Sequence, residues 1–223
     1  MYEIDFSVLI NYASEIINGI KTTLYICLLS SVYAFIFGSF LFFLRWHGNR
    51  FLHKIVVCFV EIIRNTPLLI QLYILYKGLP QIGIVFSAVN CGIIALSVYT
   101  GVYISENIRS GDNAIPADQR NAAAALGLSC RQTFLYVIYP QAIRNSILPL
   151  SSQFINLIKN STLVSFIAVT DIFYVMYQGI ANDFRIVEFM VLGACLYGFA
   201  TLSVSFIANI LESKYKIKVT EVW

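Results

Sequence analysis

Gln153, Asn156 and Asn160 recur at steps of three and four, a spacing that puts them on one face of a helix together with Ser146 and Pro149. Neutral amide and hydroxyl groups along one stripe can replace water around a zwitterion without trapping it. The same groups can also bond one helix to the next inside a membrane. Ser97, Tyr99 and Thr100 form a second, weaker set of the same kind. Four ionisable side chains lie in or beside otherwise apolar runs: Glu61, Arg64, Glu106 and Lys159. Charges at such depth are expensive and should face protein. Glu61 and Arg64, three residues apart, can neutralise each other on one helical face. Glu106 and Lys159 need each other, a partner chain or a helix end.

Other chemistries lack their residues. No phosphate-binding loop of the form GxxxxGKS/T is present, so the chain is not expected to bind or cleave ATP, and no serine, cysteine or histidine constellation suggests hydrolysis. Cys27, Cys58, Cys91, Cys130 and Cys195 are scattered without CxxC spacing, four of them in apolar runs, so neither a disulfide framework nor a metal site is expected.

The elements that position these groups belong to a membrane protein. Of 223 residues, 58% are hydrophobic and 12% charged, with mean hydropathy +0.74, against about 25% charged in soluble domains. At roughly 20 residues per span, the length allows about five or six spans and no separate soluble domain. The expected fold is all-α and polytopic. Apolar runs cover about 22–44, 55–76, 91–108, 147–169 and 189–211, with a polar loop marked by Asp171, Asp183, Arg185 and Glu188 before the last. The first residues lack a basic region and a cleavage site, so no signal peptide is expected.

Loop charges orient the chain. With the N-terminus outside, the inside set is Arg45, Arg50, Lys54, Arg109, Arg120, Arg131, Arg144, Lys214, Lys216 and Lys218, and the outside set is Lys21, Lys77 and Arg185. Ten against three selects N-out and C-in. The net charge of +3 thus follows topology and does not point to nucleic acid.

That orientation puts 116–134 in the cytoplasm. Pro116 suits a helix start, Asp118 complements the helix dipole, and Asn121 to Leu126 is mostly alanine, the best helix former. Gly127 can take positive φ and end the helix, and Ser129 with Gln132 can form a capping box for the next. Small side chains let another surface approach the backbone; packing on lipid or on the chain's own bundle is the competing role.

At these residues the sequence resembles a known family. Asn121-Ala122-Ala123, three residues, then Gly127 resembles the Glu-Ala-Ala signature of membrane subunits of bacterial ABC importers. Pro140-Gln141-Ala142-Ile143-Arg144 and Leu148-Pro149 resemble the continuation found in the polar amino acid branch. Arg64-Asn65-Thr66-Pro67-Leu68-Leu69, Tyr103 with Glu106, and Lys159-Asn160-Ser161-Thr162-Leu163 add matches in the family's order from about Gly19 to the end. The resemblance implies a type I permease fold and a pair of permease subunits, identical or different. It also implies two cytoplasmic ATPase subunits carrying ATP and Mg, an extracytoplasmic solute-binding protein, and a place in the bacterial inner membrane. It makes Asn121, Ala122, Ala123, Ala124, Leu126 and Gly127 the helix that couples to the ATPase. Asp118 stands where the family has glycine and Asn121 where it has glutamate, so the usual carboxylate is missing. Phe154 stands about where members taking cationic amino acids can carry an acid, which implies a neutral or otherwise polar amino acid as substrate. Without the resemblance, the polar stripe also fits an ATPase-independent carrier or a membrane-embedded enzyme.

Overall fold

The computed structural model describes residues 3–215, and among these the regular structure is entirely helical. After one turn at Val8–Asn11, α1 runs over Ala13–His47, α2 over Arg50–Arg64 and α3 over Leu68–Tyr73. A π-helical turn, Ile74–Gly78, and a 3-10 turn, Leu79–Ile82, extend α3. Then follow α4 (Ala88–Asn113), α5 (Ala117–Ala125), the short helix Cys130–Gln132, the π-helical Thr133–Ile138 and α6 (Tyr139–Asn145). The chain closes with α7 (Ile147–Asn160), the 3-10 segment Ser161–Ile167, α8 (Ile172–Asp183) and α9 (Ile186–Tyr215).

α1 and α4 form the backbone of the molecule. Ser30, Ala34 and Gly38 recur every four residues on α1 and are all buried. A stripe of small side chains lets two membrane helices approach closely. The approach is close enough that a Cβ on Gly38 would collide with the Gly101 carbonyl and Ile104 of α4. Ser30 Oγ donates to Ile93 O at 3.4 Å, which adds a polar tie at the same interface. Near its N-terminal end α1 meets α8: Thr23 Oγ1 accepts from Ile172 N at 3.1 Å, and Gly19 lies against the Asp171 carbonyl.

Three helices, 13–47, 88–113 and 186–210, are long and apolar enough to cross a membrane. The expected five are reached only by counting two bent pairs as spans. The run expected at 55–76 is one of them: α2 and the 68–82 stretch meet at 101°. The bend follows from Pro67, which has no N–H for a ladder and disfavours helical backbone at the residue before it. Gln71 Nε2 satisfies carbonyls freed there, donating to Ile63 O at 2.9 Å and Thr66 O at 3.0 Å. In the second pair, 147–167 meets 172–183 at 51°. Here the expected polar loop from Asp171 to Asp183 is instead the helix α8, capped by Asp171, whose side chain accepts from Tyr174 N. Lys216 and Lys218 of the expected inside set lie outside the described residues.

Candidate functional site

The polar stripe of α7 faces the polar residues of α4. Tyr99, Thr100, Tyr103, Gln153, Asn156 and Asn160 together line one open cleft of about 310 Å³. The 3.6-residue repeat puts the three amides on one side of α7, and the same repeat brings Tyr99 and Tyr103 of α4 one turn apart, with ring centroids 5.0 Å apart and hydroxyls at 3.4 Å. Five of these six residues carry the expected pathway set. Ser97 does not join them: it is buried, and its hydroxyl donates to Ile93 O at 2.5 Å within its own helix. Tyr103 takes its place. The signal that finds Tyr103 was in reach, because it lies one helical turn from Tyr99 on the same face.

Of the lining side chains, none is a carboxylate, imidazole or amine. Charge lies at the rim. The Arg64 guanidinium sits 5.7 Å over the Tyr103 ring, and Tyr103 hydroxyl reaches the Arg64 carbonyl at 3.5 Å. Arg64 also pairs with Glu61 at 3.3 Å, as their spacing predicts. The expectation that this pair faces protein is not met within the chain, since the two side chains are 38% and 54% exposed. Glu106 is held by Arg45 of α1 and by Arg109 at 2.8 Å, not by Lys159. Position explains the difference: Glu106 lies one helical turn from Arg109, beside the C-terminal end of α1 that carries Arg45. Lys159 is exposed and has no ion partner among the described residues.

The segment 116–134 has the shape its residues dictate. α5 ends in Gly127 at φ 73°, with Gly127 N donating to Ala124 O at 3.0 Å and Leu128 N to Ala123 O at 3.1 Å. This paired closure needs a left-handed residue, which glycine adopts without a Cβ penalty. Ser129 and Gln132 form the capping box, Ser129 N donating to Gln132 Oε1 at 2.9 Å and Gln132 N to Ser129 Oγ at 3.3 Å. Asn121, Ala122, Ala124, Leu126 and Gly127 are exposed, Leu126 at 80%. Ala123 is the exception at 3%, turned into the chain's own fold. Of the six residues expected to couple, it is the one whose side chain is not presented outward.

Residues 34–217 match the family model described as the inner membrane component of binding-protein-dependent transport systems. The chain belongs to this family. Among its relatives is the probable glutamine ABC transporter permease protein GlnM of Bacillus subtilis, 31% identical over 93% of this chain and 96% of that one. The arginine transport system permease protein ArtQ of the same organism is 32% identical over 96% of this chain and 98% of its own. A crystal structure of an amino acid ABC transporter with histidines superposes with a TM-score of 0.87 at 30% identity, covering 96% of this permease and 100% of that chain. The permease thus has the all-α type I importer fold.

Proposed function

We propose that this permease moves a polar, uncharged amino acid across the bacterial inner membrane by alternating access, driven by ATP hydrolysed on separate subunits. The cleft between α4 and α7 carries the substrate part of this reading. Its amides and hydroxyls suit an α-ammonium, an α-carboxylate and a neutral hydrogen-bonding side chain. A guanidinium or ammonium side chain would need a carboxylate among the lining groups, and none is there. Likeness to a probable glutamine permease agrees with this; likeness at the same level to an arginine permease leaves the lining chemistry to separate the two.

Two cytoplasmic ATPase subunits with their ATP and Mg, a second permease subunit and an extracytoplasmic solute-binding protein complete the assembly. α5 supplies the ATPase contact, with Asn121, Ala122, Ala124 and the apolar tip Leu126 presented outward and Gly127 closing the turn. Asn121 contributes an amide rather than a carboxylate, so shape and the apolar tip carry the docking. The N-terminus lies outside and the C-terminus inside, as the loop charges require.

The test is to purify the permease with its ATPase, reconstitute both in vesicles with the matching binding protein, and screen amino acids for stimulated ATP hydrolysis and uptake. Stimulation by glutamine-like neutral amino acids is the expected result. Stimulation by cationic amino acids alone would overturn the substrate class, and uptake without any associated ATPase would favour a free-standing carrier.

A further inference from the structure

α5 joins the membrane helices by two kinds of contact. The apolar one is at its base, where Ile115, just ahead of α5, packs in one buried cluster with Phe134, Ile138 and Phe42 of α1, and Ala123 is the buried residue of α5 itself. The ionic one, among the described residues, is the pair Arg120 Nη2 to Asp112 Oδ1 at 2.5 Å, with side chains 43% and 9% exposed. Asp112 sits in the last turn of α4, the end of a helix where a negative charge is disfavoured. A buried carboxylate in that place depends on a cation from elsewhere, and Arg120 is its ion-pair partner.

The turn that carries Asp112 is also bolted to the end of α6 and the junction with α7. Asn145 Nδ2 donates to Gly111 O at 3.0 Å, and Ser146 Oγ donates to Asn107 O at 2.7 Å. Gly111 itself lies so close to Ala142 O and Ser146 Oγ that a Cβ has no room. Displacing α5 therefore pulls on the end of α4 at a point that cannot yield locally. Nine residues further up α4, roughly 13 Å at 1.5 Å per residue, is Tyr103, with Thr100 and Tyr99 beyond it on the cleft wall.

We propose that the Arg120–Asp112 pair is the strut that carries movement of the coupling helix into α4 and so to the substrate cleft. The proposal rests on α5 being the ATPase-docking helix. Arg120 and Asp112 act as positioning residues and touch neither substrate nor nucleotide.

The test compares uptake and ATP hydrolysis on the same reconstituted complex for Arg120→Gln, Asp112→Asn and Arg120→Lys. A broken strut leaves ATP hydrolysis within about twofold while uptake per ATP falls by at least about fivefold, the lower end of measured coupling factors. Arg120→Lys, which keeps the charge, retains most of the ratio. An unchanged ratio in Arg120→Gln overturns the proposal. So does a proportional loss of uptake and hydrolysis in every variant, which indicates a structural role only. If the unmodified permease recovers no ATPase, the docking reading fails first, and that result is separable from the others.

Discussion

Gln153 and Asn156 present side-chain amides to the cleft without charge, so each can gain or lose about one neutral hydrogen bond with a passing solute. Such a bond contributes about 0.5–1.5 kcal/mol, which predicts that Gln153→Ala or Asn156→Ala raises the KM of uptake by about twofold to tenfold while expression is unchanged. Ser97→Ala, outside the cleft, leaves KM as it was, and concentration-dependent uptake in vesicles separates the two. His47 makes a different prediction. Both ring nitrogens are buried without a hydrogen bond, in a nest formed by Phe43, Trp46 and Phe134. An apolar replacement relieves groups whose isolation costs about 1–3 kcal/mol. His47→Phe is thus expected to raise the melting temperature of the purified protein by a few degrees, at about 2–4 °C per kcal/mol for a chain of this size. The amide stripe was legible in the sequence because helical periodicity alone puts its members on one face. The nest around His47 was not, since Phe134 reaches it from a distant part of the chain.

Gly127 and Ala123 divide the labour of α5, the helix proposed to dock the ATPase. Nothing lies within 4 Å of where a Gly127 side chain would begin, so the cost of replacing it is backbone strain alone. Gly127→Val therefore costs about 1–2 kcal/mol and swings Leu126 and Ser129 off their axes; ATPase co-purification is expected to drop while the permease still inserts. Charge at neighbouring alanines separates docking from folding. Ala124→Asp, on the exposed side, is expected to weaken ATPase binding with normal membrane levels. Ala123→Asp buries a carboxylate and is expected to lower the amount of folded protein, which fluorescence-detected gel filtration reads directly. The ends of α5 were legible because Pro116, Gly127, Ser129 and Gln132 are local signals. α8 was hidden by its flanking charges, although Asp171 is a good N-cap and pointed to a helix start. The break at Pro67 has a local signal in Arg64-Asn65-Thr66-Pro67, but the apolar runs beyond it on either side add up to the length of one span. The π-helical turns at 74–78 and 133–138 have no local signature, since an extra residue per turn is imposed by tertiary packing.

Across the whole molecule, exposure tells which faces await other surroundings. Leu24, Leu28, Phe199, Leu202 and Phe206 expose apolar side chains on α1 and α9, as lipid-facing helices do. Glu61, Arg64, Asn156 and Lys159 are exposed as well and are too polar for hydrocarbon, which fits a second subunit and a wet path beside the cleft. The proposed orientation has a direct check in Cys130, which is exposed just after α5. A membrane-impermeant maleimide is expected to label it in inverted vesicles and not in intact cells, with Cys130→Ser as the control. Labelling from outside would reverse the topology.

The close fit of α1 to α4 also sets a schedule for synthesis. Ser30 emerges from the ribosome 63 residues before Ile93, its partner carbonyl. At about 5–20 residues per second, this is a delay of roughly 3–13 s. For that interval the small-residue stripe of α1 has no helix to close on, and the Ser30 hydroxyl and the bare backbone at Gly38 must be sheltered by the insertion machinery rather than released into lipid.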